Sequence, residues 1–373
     1  MIMKKILFTA TVSQGHIKAF HIPYLKWFKE KGYEVHVAAK GEDDIPYCDK
    51  FFNIPFNRSP LNFSNFKAYK QLKNIIQNND YDLIHCHTPM GSVLTRIAAK
   101  KAREKGTKVV YTAHGFHFFE GAPIKNWILY YPVERWLSRY TDCLITINEE
   151  DYNRVKDTFK ALDIRLVNGV GIDLEKFSSQ TNDEKSKLKK EYGYVQDDFL
   201  IIYAGELSYR KHQDLIIKAV GKLKDNYPNI KVLLAGKGQL EAQYKEMVAR
   251  LGLNKNIHFL GFRRDISKLM ALSDIAVSSS RQEGLPVNIM EAMATGLPLV
   301  VTDCRGNRDL VKNNENGYVV PINNEEKFAE AITKLYKSVK IRNNFSLKGL
   351  EYVERFSLEK ITREMEKIYM ELL

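Results

Sequence analysis

The sequence lacks the features that mark several common classes of protein. Its four cysteines, Cys48, Cys86, Cys143 and Cys304, are scattered and show no CxxC spacing, which favours free thiols in a reducing cytoplasm. No stretch approaches the roughly 20 uninterrupted apolar residues of a membrane-spanning helix. No repeat, low-complexity tract or nucleic-acid-binding motif is present. These absences favour a cytoplasmic globular protein that does not bind nucleic acid.

The chain is strongly basic, and part of that charge lies among aromatic residues. With 373 residues, 44% of them hydrophobic, it can form two ordinary α/β domains, and its formal net charge is +12. Basic residues near an anionic lipid surface contribute on the order of 1 kcal/mol each. We therefore expect peripheral membrane contact through two segments of the first half, which contain Lys18, Lys26, Lys29 and Lys31 among Phe20, Tyr24, Trp27 and Phe28, and then Arg58, Lys67, Lys70 and Lys73.

Strand-like and helix-like runs alternate along the chain, which predicts parallel sheets covered by helices on both faces. A glycine-containing and then charged stretch, RLVNGVGIDLEKFSSQTNDEKSK, begins near residue 165 and predicts a domain boundary. The predicted strands are KKILFTA, YEVHVAAK, DLIHCHT, KVVYTAHG and CLITIN before it, and FLIIYAGEL, IKVLLAGKG, IHFLGF, DIAVSSS, LPLVVTD and YVVP after it.

Two glutamates eight positions apart, Glu283 and Glu291, are the strongest functional signal. Glu283 is predicted to lie in a loop after the strand DIAVSSS, and Glu291 in the helix that follows and ends near Gly296. Ionised carboxylates accept charge-assisted hydrogen bonds, which suits the hydroxyls of a sugar or a ribose. A glutamate pair by itself is more often a solvated loop acid and an ordinary helix acid. The neighbouring residues are therefore needed to tell a binding site from a solvated surface.

The neighbouring residues read EGLPVNIMEAMATGLPLV, which resembles the signature of the GT-B glycosyltransferases of family GT4, a glutamate, seven residues and a second glutamate. The match includes Gly284, Pro286, Gly296 and Pro298. The segment EGLP resembles the corresponding segment of the capsular and exopolysaccharide branch. The resemblance extends over nearly all of the chain. It implies an α/β protein of GT-B fold, in which two Rossmann-like domains face one another across a cleft.

In that fold the last helix crosses back to the first domain. The segment NGVGIDLEKF resembles the interdomain connection, and RFSLEKITREMEKIYMELL is assigned to the returning helix. The implied domains are therefore residues 1–172 together with 355–373, on the acceptor side, and residues 173–354, which bind the nucleotide sugar.

The resemblance implies a donor site built mainly from the second domain. Lys211, in GELSYRKHQDL, matches the lysine that contacts the donor diphosphate, and helix starts and cations suit phosphate. Where the family usually has arginine, this chain has Glu206. Either Arg210 supplies the second cation or the diphosphate is held differently.

Further donor-binding residues follow from the same resemblance. Glu291 would take the ribose hydroxyls, and Glu283 would orient the transferred sugar without acting as a covalent nucleophile. Gly236 belongs to a GxG turn, which a tight turn alone would also explain, and Arg263 lies beside the expected position of the base. The remaining members are the loop residues Gly284, Leu285 and Pro286.

The first domain contributes residues that follow predicted strands. Gly15 permits close backbone approach to phosphate. His114 matches the family histidine that reaches the donor sugar, and together with Lys211 and Glu283 it forms the predicted catalytic set. On the acceptor side, His16 and His117 are candidates, and Glu120 is a weaker one on the same loop as His117.

No metal or other cofactor is expected. His85 and His87 could share one face of a strand, but no further ligands are evident, so we assign them to packing. Asp80–Asp82 spell the DxD that other glycosyltransferases use for a metal, yet they precede a strand and are predicted to form a turn.

The sequence thus predicts a retaining hexosyl- or N-acetylhexosaminyl-transferase that uses a nucleotide diphosphate sugar, with UDP as the expected nucleotide. The resemblance implies an undecaprenyl-diphosphate-linked sugar as acceptor, at the inner face of a bacterial cell membrane, in capsule or exopolysaccharide synthesis. The alternatives are a transferase with a soluble acceptor, a nucleotide-sugar epimerase, and a non-catalytic module that binds nucleotide sugars.

Overall fold

The computed structural model describes residues 3–373, which form two compact units. One comprises the chain up to Gly171 together with Glu359–Leu373, and the other comprises Ile172–Leu358. Each unit contains a parallel β-sheet flanked by helices.

The sheet of the first unit has seven strands in the order β3-β2-β1-β4-β5-β6-β7. Its strands are β1 (Lys5–Val12), β2 (Glu34–Lys40), β3 (Lys50–Asn53), β4 (Leu83–His87), β5 (Lys108–Ala113), β6 (Cys143–Thr146) and β7 (Asp163–Leu166). A π-helical turn, Ser13–Ile17, follows β1, and the helices are α1 (Lys18–Phe20), α2 (Ile22–Glu30), α3 (Ser64–Gln77), α4 (Pro89–Glu104), α5 (Ile124–Ser138) and α6 (Glu149–Val155).

The sheet of the second unit has six strands in the order β10-β9-β8-β11-β12-β13. Its strands are β8 (Phe199–Ala204), β9 (Ile230–Ala235), β10 (Ile257–Gly261), β11 (Ile275–Ser278), β12 (Leu299–Thr302) and β13 (Gly317–Val320). Its helices are α7 (Asn182–Glu191), α8 (Gln213–Leu223), α9 (Glu241–Arg250), α10 (Ile266–Ala271), α11 (Val287–Ala294), α12 (Asn307–Leu310), α13 (Glu325–Lys337) and α14 (Val339–Val353), and a 3₁₀ turn, Glu354–Phe356, precedes the last helix, α15 (Leu358–Leu372).

The central strands are apolar because helices cover both faces of each sheet. The strand β8, FLIIYA, is buried over its first five residues, and Ile201 lies opposite Ile275 of β11. All eleven strands predicted from the sequence are present. The edge strands β3 and β7 were missed because KFFN and DIRL are short and only partly buried, so they carry no uninterrupted apolar run.

The helix α15 packs on the first unit, as the resemblance implied. Its residues Ile361, Met365 and Ile368 join the core formed by β1, β2 and α2. The hydroxyl of Tyr369 lies 2.7 Å from Nδ1 of His85, in the centre of the sheet. A polar contact inside an apolar core thereby fixes the position of the returning helix.

Among residues 3–373, the structure has no helix that is both long enough and apolar enough to cross a membrane.

We expect Tyr369→Phe to lower the free energy of unfolding by about 1–3 kcal/mol, because the buried Nδ1 of His85 loses its partner. Urea denaturation measures this change. Tyr33→Phe is the matched control, since Tyr33 packs against the same core and no hydrogen bond of its hydroxyl is seen among the described residues. Equal stability of the two variants would contradict the account.

Candidate functional site

The side chain of Glu283 is the centre of a buried cluster in the second unit. Its Oε1 accepts hydrogen bonds from Lys211 Nζ at 2.7 Å and from Ser280 Oγ at 2.6 Å. Its Oε2 accepts one from Arg210 at 2.9 Å. Glu283 is 6% exposed and Lys211 is 8% exposed, so this is an ion pair inside the protein with one more cation at its rim.

The cluster keeps Glu283 ionised. Burial alone would raise the pKa of this carboxyl, but the charges of Lys211 and Arg210 lower it below its usual value. A carboxylate has about four lone-pair directions, and three are used here. One acceptor position remains on Oε2, while Lys211 and Arg210 retain further N–H donors.

Sheet topology brings these residues together. The strands β8 and β11 are neighbours although they are not consecutive, so the loops at their carboxyl ends meet. This is the switch point of the strand order, where open α/β sheets usually bind ligands. Lys211 lies in the first of these loops and Glu283 in the second.

The backbone around Lys211 is held by hydroxyl groups. The carbonyl of Lys211 accepts hydrogen bonds from the Tyr203 hydroxyl at 2.6 Å and from Ser279 Oγ at 3.2 Å. Ser279 also donates to the carbonyl of His212 at 2.7 Å. His212 has a φ of +55°, which is costly for a side chain other than glycine, so these contacts fix a strained turn.

The loop that contains Glu283 leads into the amino terminus of α11. Arg305 Nε donates to the carbonyl of Glu283 at 2.9 Å. Gly306, with a φ of +82°, packs so closely that a Cβ there would lie 2.6 Å from the carbonyl oxygen of Gly284. Leu285 and Pro286 are buried behind this turn. The first N–H groups of a helix have no partner within the helix and attract anions, so this end of α11 suits phosphate.

Glu291 lies in α11, as predicted, and its chemistry differs from that of Glu283. It is partly buried, and burial raises the pKa of its carboxyl to about 7, against a smaller opposing effect of Lys176. Among residues 3–373, no hydrogen bond or ion pair of its carboxylate is seen. The group is therefore an acceptor without a protein donor.

The structure gives three other candidates local contacts of their own. A Cβ on Gly236 would lie 1.9 Å from the carbonyl oxygen of Gly205, so glycine is required there by loop packing. Arg263 forms a two-point ion pair with Asp265, at 2.8 Å through Nε. Glu206 is exposed, and its backbone carbonyl accepts a hydrogen bond from Gln213. The ligand roles of these residues stay predictions.

In the first unit, four histidines form a second cluster. His16, His21, His87 and His114 each place a ring nitrogen within 4.8 Å of those of the others. Nε2 of His114 lies 3.3 Å from Nδ1 of His87. They come together because β1, β4 and β5 are neighbours, and His16, His87 and His114 lie at or just after the ends of these strands.

These imidazoles are neutral at pH 7. Burial lowers the pKa of His114 to about 4, and it lowers the pKa values of His16, His21 and His87 well below the usual range. His85 differs because both of its ring nitrogens have partners, Tyr369 at 2.7 Å and Thr112 at 2.8 Å. The packing role expected for His85 fits these contacts, whereas His87 belongs to the cluster.

The other candidates of the first unit lie outside this cluster. Gly15 is exposed and has room for a Cβ, 3.9 Å from the nearest atom of Val12, so its conformation does not require glycine. His117 stacks on Tyr130 with ring centroids 4.6 Å apart. Glu120 is exposed, and its backbone N–H donates to Glu150.

The Asp80–Asp82 segment, which resembles a metal-binding pattern, has a structural explanation. Asp80 has a φ of +45° in a turn before β4, which confirms the turn predicted for Asp80–Asp82. Asp82 accepts a hydrogen bond from the backbone N–H of Lys5 at 2.7 Å.

The basic aromatic segments of the first unit differ in exposure. Tyr24, Trp27 and Phe28 of α2 lie in the core, so they offer no aromatic surface. Near the start of α3, Leu61 and Phe63 are 89% and 95% exposed.

The helix α5 presents a further basic and apolar surface, which the sequence analysis did not identify. Its exposed residues include no acid; they are Ile124, Lys125, Ile128, Leu129, Pro132, Val133, Arg135 and Trp136.

Family models match both units. The model of the glycosyl transferases group 1 matches residues 184–351, and a glycosyl transferase 4-like model matches residues 5–148.

Two relatives of known sequence cover most of the chain. One is the Bacillus subtilis protein named "Putative glycosyltransferase EpsD". It is 46% identical over 367 residues, which is 98% of this chain and 96% of that protein. The UDP-Gal:alpha-D-GlcNAc-diphosphoundecaprenol alpha-1,3-galactosyltransferase of Escherichia coli is 28% identical over 330 residues, which is 87% of this chain and 84% of that protein.

Two solved structures share the fold. HepE of Anabaena, in complex with UDP and glucose, superposes with a TM-score of 0.82 at 22% identity, covering 99% of this chain and 100% of HepE. WaaG, a glycosyltransferase involved in lipopolysaccharide biosynthesis, gives a TM-score of 0.79 at 18% identity, covering 97% and 99%.

We expect Glu291→Gln to raise the melting temperature at pH 8 and to have a smaller effect at pH 5. The folded pKa of about 7 exceeds the ordinary value of 4.5, so the folded chain binds this proton more tightly than the unfolded chain. The ionised carboxylate therefore lowers the free energy of unfolding fully above pH 7. This destabilisation decreases as the pH falls from about 7 toward the ordinary pKa of 4.5.

Scanning fluorimetry between pH 5 and pH 8 measures the difference. Glu206→Gln removes the same charge from an exposed position and is the control. A gain for Glu291→Gln that does not vary with pH would show that burial does not perturb this carboxyl.

Proposed function

The chain belongs to the GT-B glycosyltransferases of family GT4, and we propose that it moves a sugar from a UDP-sugar to a lipid-diphosphate-linked sugar with retention of configuration. We assign the reaction to bacterial capsule or exopolysaccharide synthesis. The observation that carries the donor half is the cluster of Glu283, Lys211 and Arg210 beside the amino terminus of α11.

The cluster suits a nucleotide diphosphate. Cleavage of the bond between the sugar and the phosphate leaves negative charge on the diphosphate, and fixed cations and helix N–H groups stabilise such charge. Lys211 and Arg210 keep donors beyond those given to Glu283, and both are fixed by it. We assign the diphosphate to these two cations and to the start of α11. The transfer step then needs no metal.

We assign Glu291 to the ribose hydroxyls. Its carboxylate is partly buried without a hydrogen-bond donor among residues 3–373, and a ribose diol supplies two donors. Donor hydrogen bonds stabilise the ionised form, so nucleotide binding should lower the pKa of Glu291 from about 7. The complex of HepE with UDP and glucose supports a UDP-sugar as donor.

Glu283 has the role of an orienting residue. Lys211, Ser280 and Arg210 already occupy its carboxylate, which leaves one acceptor position on Oε2 for a sugar hydroxyl. A carboxylate paired with two cations is a poor nucleophile, so we exclude a covalent glycosyl-enzyme at this residue.

We propose that the configuration at the anomeric carbon is retained because the acceptor attacks from the same face of the sugar that the diphosphate leaves. The bond from the anomeric carbon to the donor phosphate breaks, the acceptor oxygen forms the new bond, and the acceptor proton passes to the leaving phosphate. We assign neutral His114 to a hydrogen bond with the donor sugar, because an imidazole of low pKa can share its N–H without becoming charged.

The acceptor proposal rests on the surface of the first unit. A lipid-linked acceptor requires contact with a membrane, and the exposed face of α5 combines apolar residues with cations. Such a helix lies in the plane of an anionic lipid surface. The name of the Escherichia coli relative, which specifies a diphosphoundecaprenol acceptor, supports the same class. We therefore place the protein at the inner face of the cell membrane.

We expect Lys211→Ala to lose donor affinity and turnover together. A nucleotide sugar at 100 times its Kd should stabilise the parent by about 2.7 kcal/mol, measured as a thermal shift over a panel of nucleotide sugars. The variant should lose most of this shift. Its own melting temperature should also fall, because buried Glu283 loses a partner.

Lys218→Ala, an exposed lysine on α8, is the control and should keep the full shift. If no UDP-, GDP- or other nucleotide sugar stabilises the parent, the donor proposal fails. If Lys211→Ala keeps the shift, Lys211 is not in the site.

We expect the parent to float with liposomes that contain anionic phospholipid, and the double change Ile128→Glu and Trp136→Glu to reduce the bound fraction several-fold. The two side chains are 67% and 44% exposed on α5. Added salt should weaken binding, because exposed charges are screened.

Leu347→Glu on α14, at a position 68% exposed in the second unit, is the matched control and should not change flotation. A parent that stays with the soluble fraction would favour the transferase with a soluble acceptor.

A further inference from the structure

The histidine cluster of the first unit has more ring nitrogens than partners. Nε2 of His16, both ring nitrogens of His21 and Nε2 of His87 are buried and have no hydrogen-bond partner among the described residues. A buried polar atom without a hydrogen-bond partner destabilises the folded chain. A ligand bound by the cluster would satisfy Nε2 of His16 and one ring nitrogen of His21, whereas the nitrogen of His87 that faces His114 is Nδ1.

The rings are spaced as they would be around one tetrahedral ion. At zinc–nitrogen distances of about 2.0–2.1 Å, two ligand nitrogens lie about 3.3 Å apart and two ring centroids about 5 Å apart. Nδ1 of His87 and Nε2 of His114 are 3.3 Å apart. Five of the six centroid distances among the four rings lie between 4.6 and 5.9 Å.

The sixth distance identifies the ring that moves. His21 and His87 stack with centroids 3.8 Å apart and an angle of 24° between their planes. Lone pairs of stacked rings do not converge on one point, so His21 must rotate out of the stack to become the fourth ligand. No hydrogen bond to the described residues holds either nitrogen of His21 against this rotation.

We propose that His16, His21, His87 and His114 bind a divalent transition-metal ion of the zinc class. Neutral imidazole is a preferred ligand of zinc, copper and nickel, whereas magnesium and calcium prefer oxygen.

The bound metal acts as an inhibitor of transfer. This consequence, unlike metal binding itself, rests on the proposed function, because His114 is the residue assigned to the donor sugar. An imidazole nitrogen that ligates a metal cannot bond the sugar. Occupancy of the site therefore removes His114 from the reaction, and a chelator restores it.

The test uses the full chain, freed of metal by chelation, and titrates it with Co²⁺ and with Zn²⁺. We expect one equivalent of Co²⁺ to give the intense visible absorption of a tetrahedral centre. X-ray absorption of the Zn²⁺ form should show four nitrogen ligands at about 2.0–2.1 Å with imidazole outer scattering.

The informative variant is His21→Phe, which keeps the stack on His87 and removes a ligand. It should fold at least as stably as the parent, because the ring of His21 has no hydrogen-bond partner among the described residues, and it should bind Zn²⁺ at least about tenfold more weakly. His258→Phe, the same change in the second unit, should bind Zn²⁺ as the parent does.

The proposal is overturned if the parent binds neither ion, if the zinc spectrum shows mainly oxygen ligands, or if His21→Phe binds as tightly as the parent. If Zn²⁺ binds with the imidazole signature and turnover does not change, the metal site stands and the role of His114 at the donor sugar is wrong.

Discussion

The buried carboxylate of Glu283 is the constraint on which the second unit depends. A charge taken out of water must be paired, and removing one member of a buried pair costs about 3–5 kcal/mol. Glu283 therefore requires Lys211 within the protein and holds Arg210 at the rim. The same requirement places two cations beside a helix amino terminus, where a diphosphate can use them. The contact that stabilises the loops also positions the cations of the proposed donor site, so stability and donor binding should respond to the same substitutions.

Each unit has a polar cluster at the same place in its sheet, but the side chains of the two clusters differ in charge. In each sheet the polar cluster lies where the strand order reverses, between β8 and β11 in one unit and between β1 and β4 in the other. The second unit concentrates charge there, which matches an anionic ligand. The first unit gathers imidazoles that burial keeps neutral. Uncharged ring nitrogens can share hydrogen bonds with a sugar or donate lone pairs to a metal, and they add no repulsion to a nearby cation.

Much of the fold could be predicted because parallel strands are apolar and helices between them are amphipathic. The segment EGLPVNIMEAMATGLPLV also located Glu283 in a loop and Glu291 in a helix correctly. The ionic partners of Glu283 could not be predicted, because they depend on which strands become neighbours. His21 was missed for the same reason. The close packing of Gly236 and the ion pair of Arg263 with Asp265 cannot be read from the spacing of residues in the sequence. Arg210, and not the exposed Glu206, contacts Glu283 beside Lys211.

The central claim is that the Glu283 cluster receives the diphosphate of a nucleotide sugar while Glu291 receives its ribose. A crystal structure of the chain with a bound UDP-sugar tests this most directly. We expect diphosphate oxygens within hydrogen-bond distance of Lys211 Nζ and the Arg210 guanidinium, and both ribose hydroxyls on the carboxylate of Glu291. A nucleotide bound elsewhere, with Glu291 still lacking a donor and no phosphate oxygen in contact with Lys211, would contradict it.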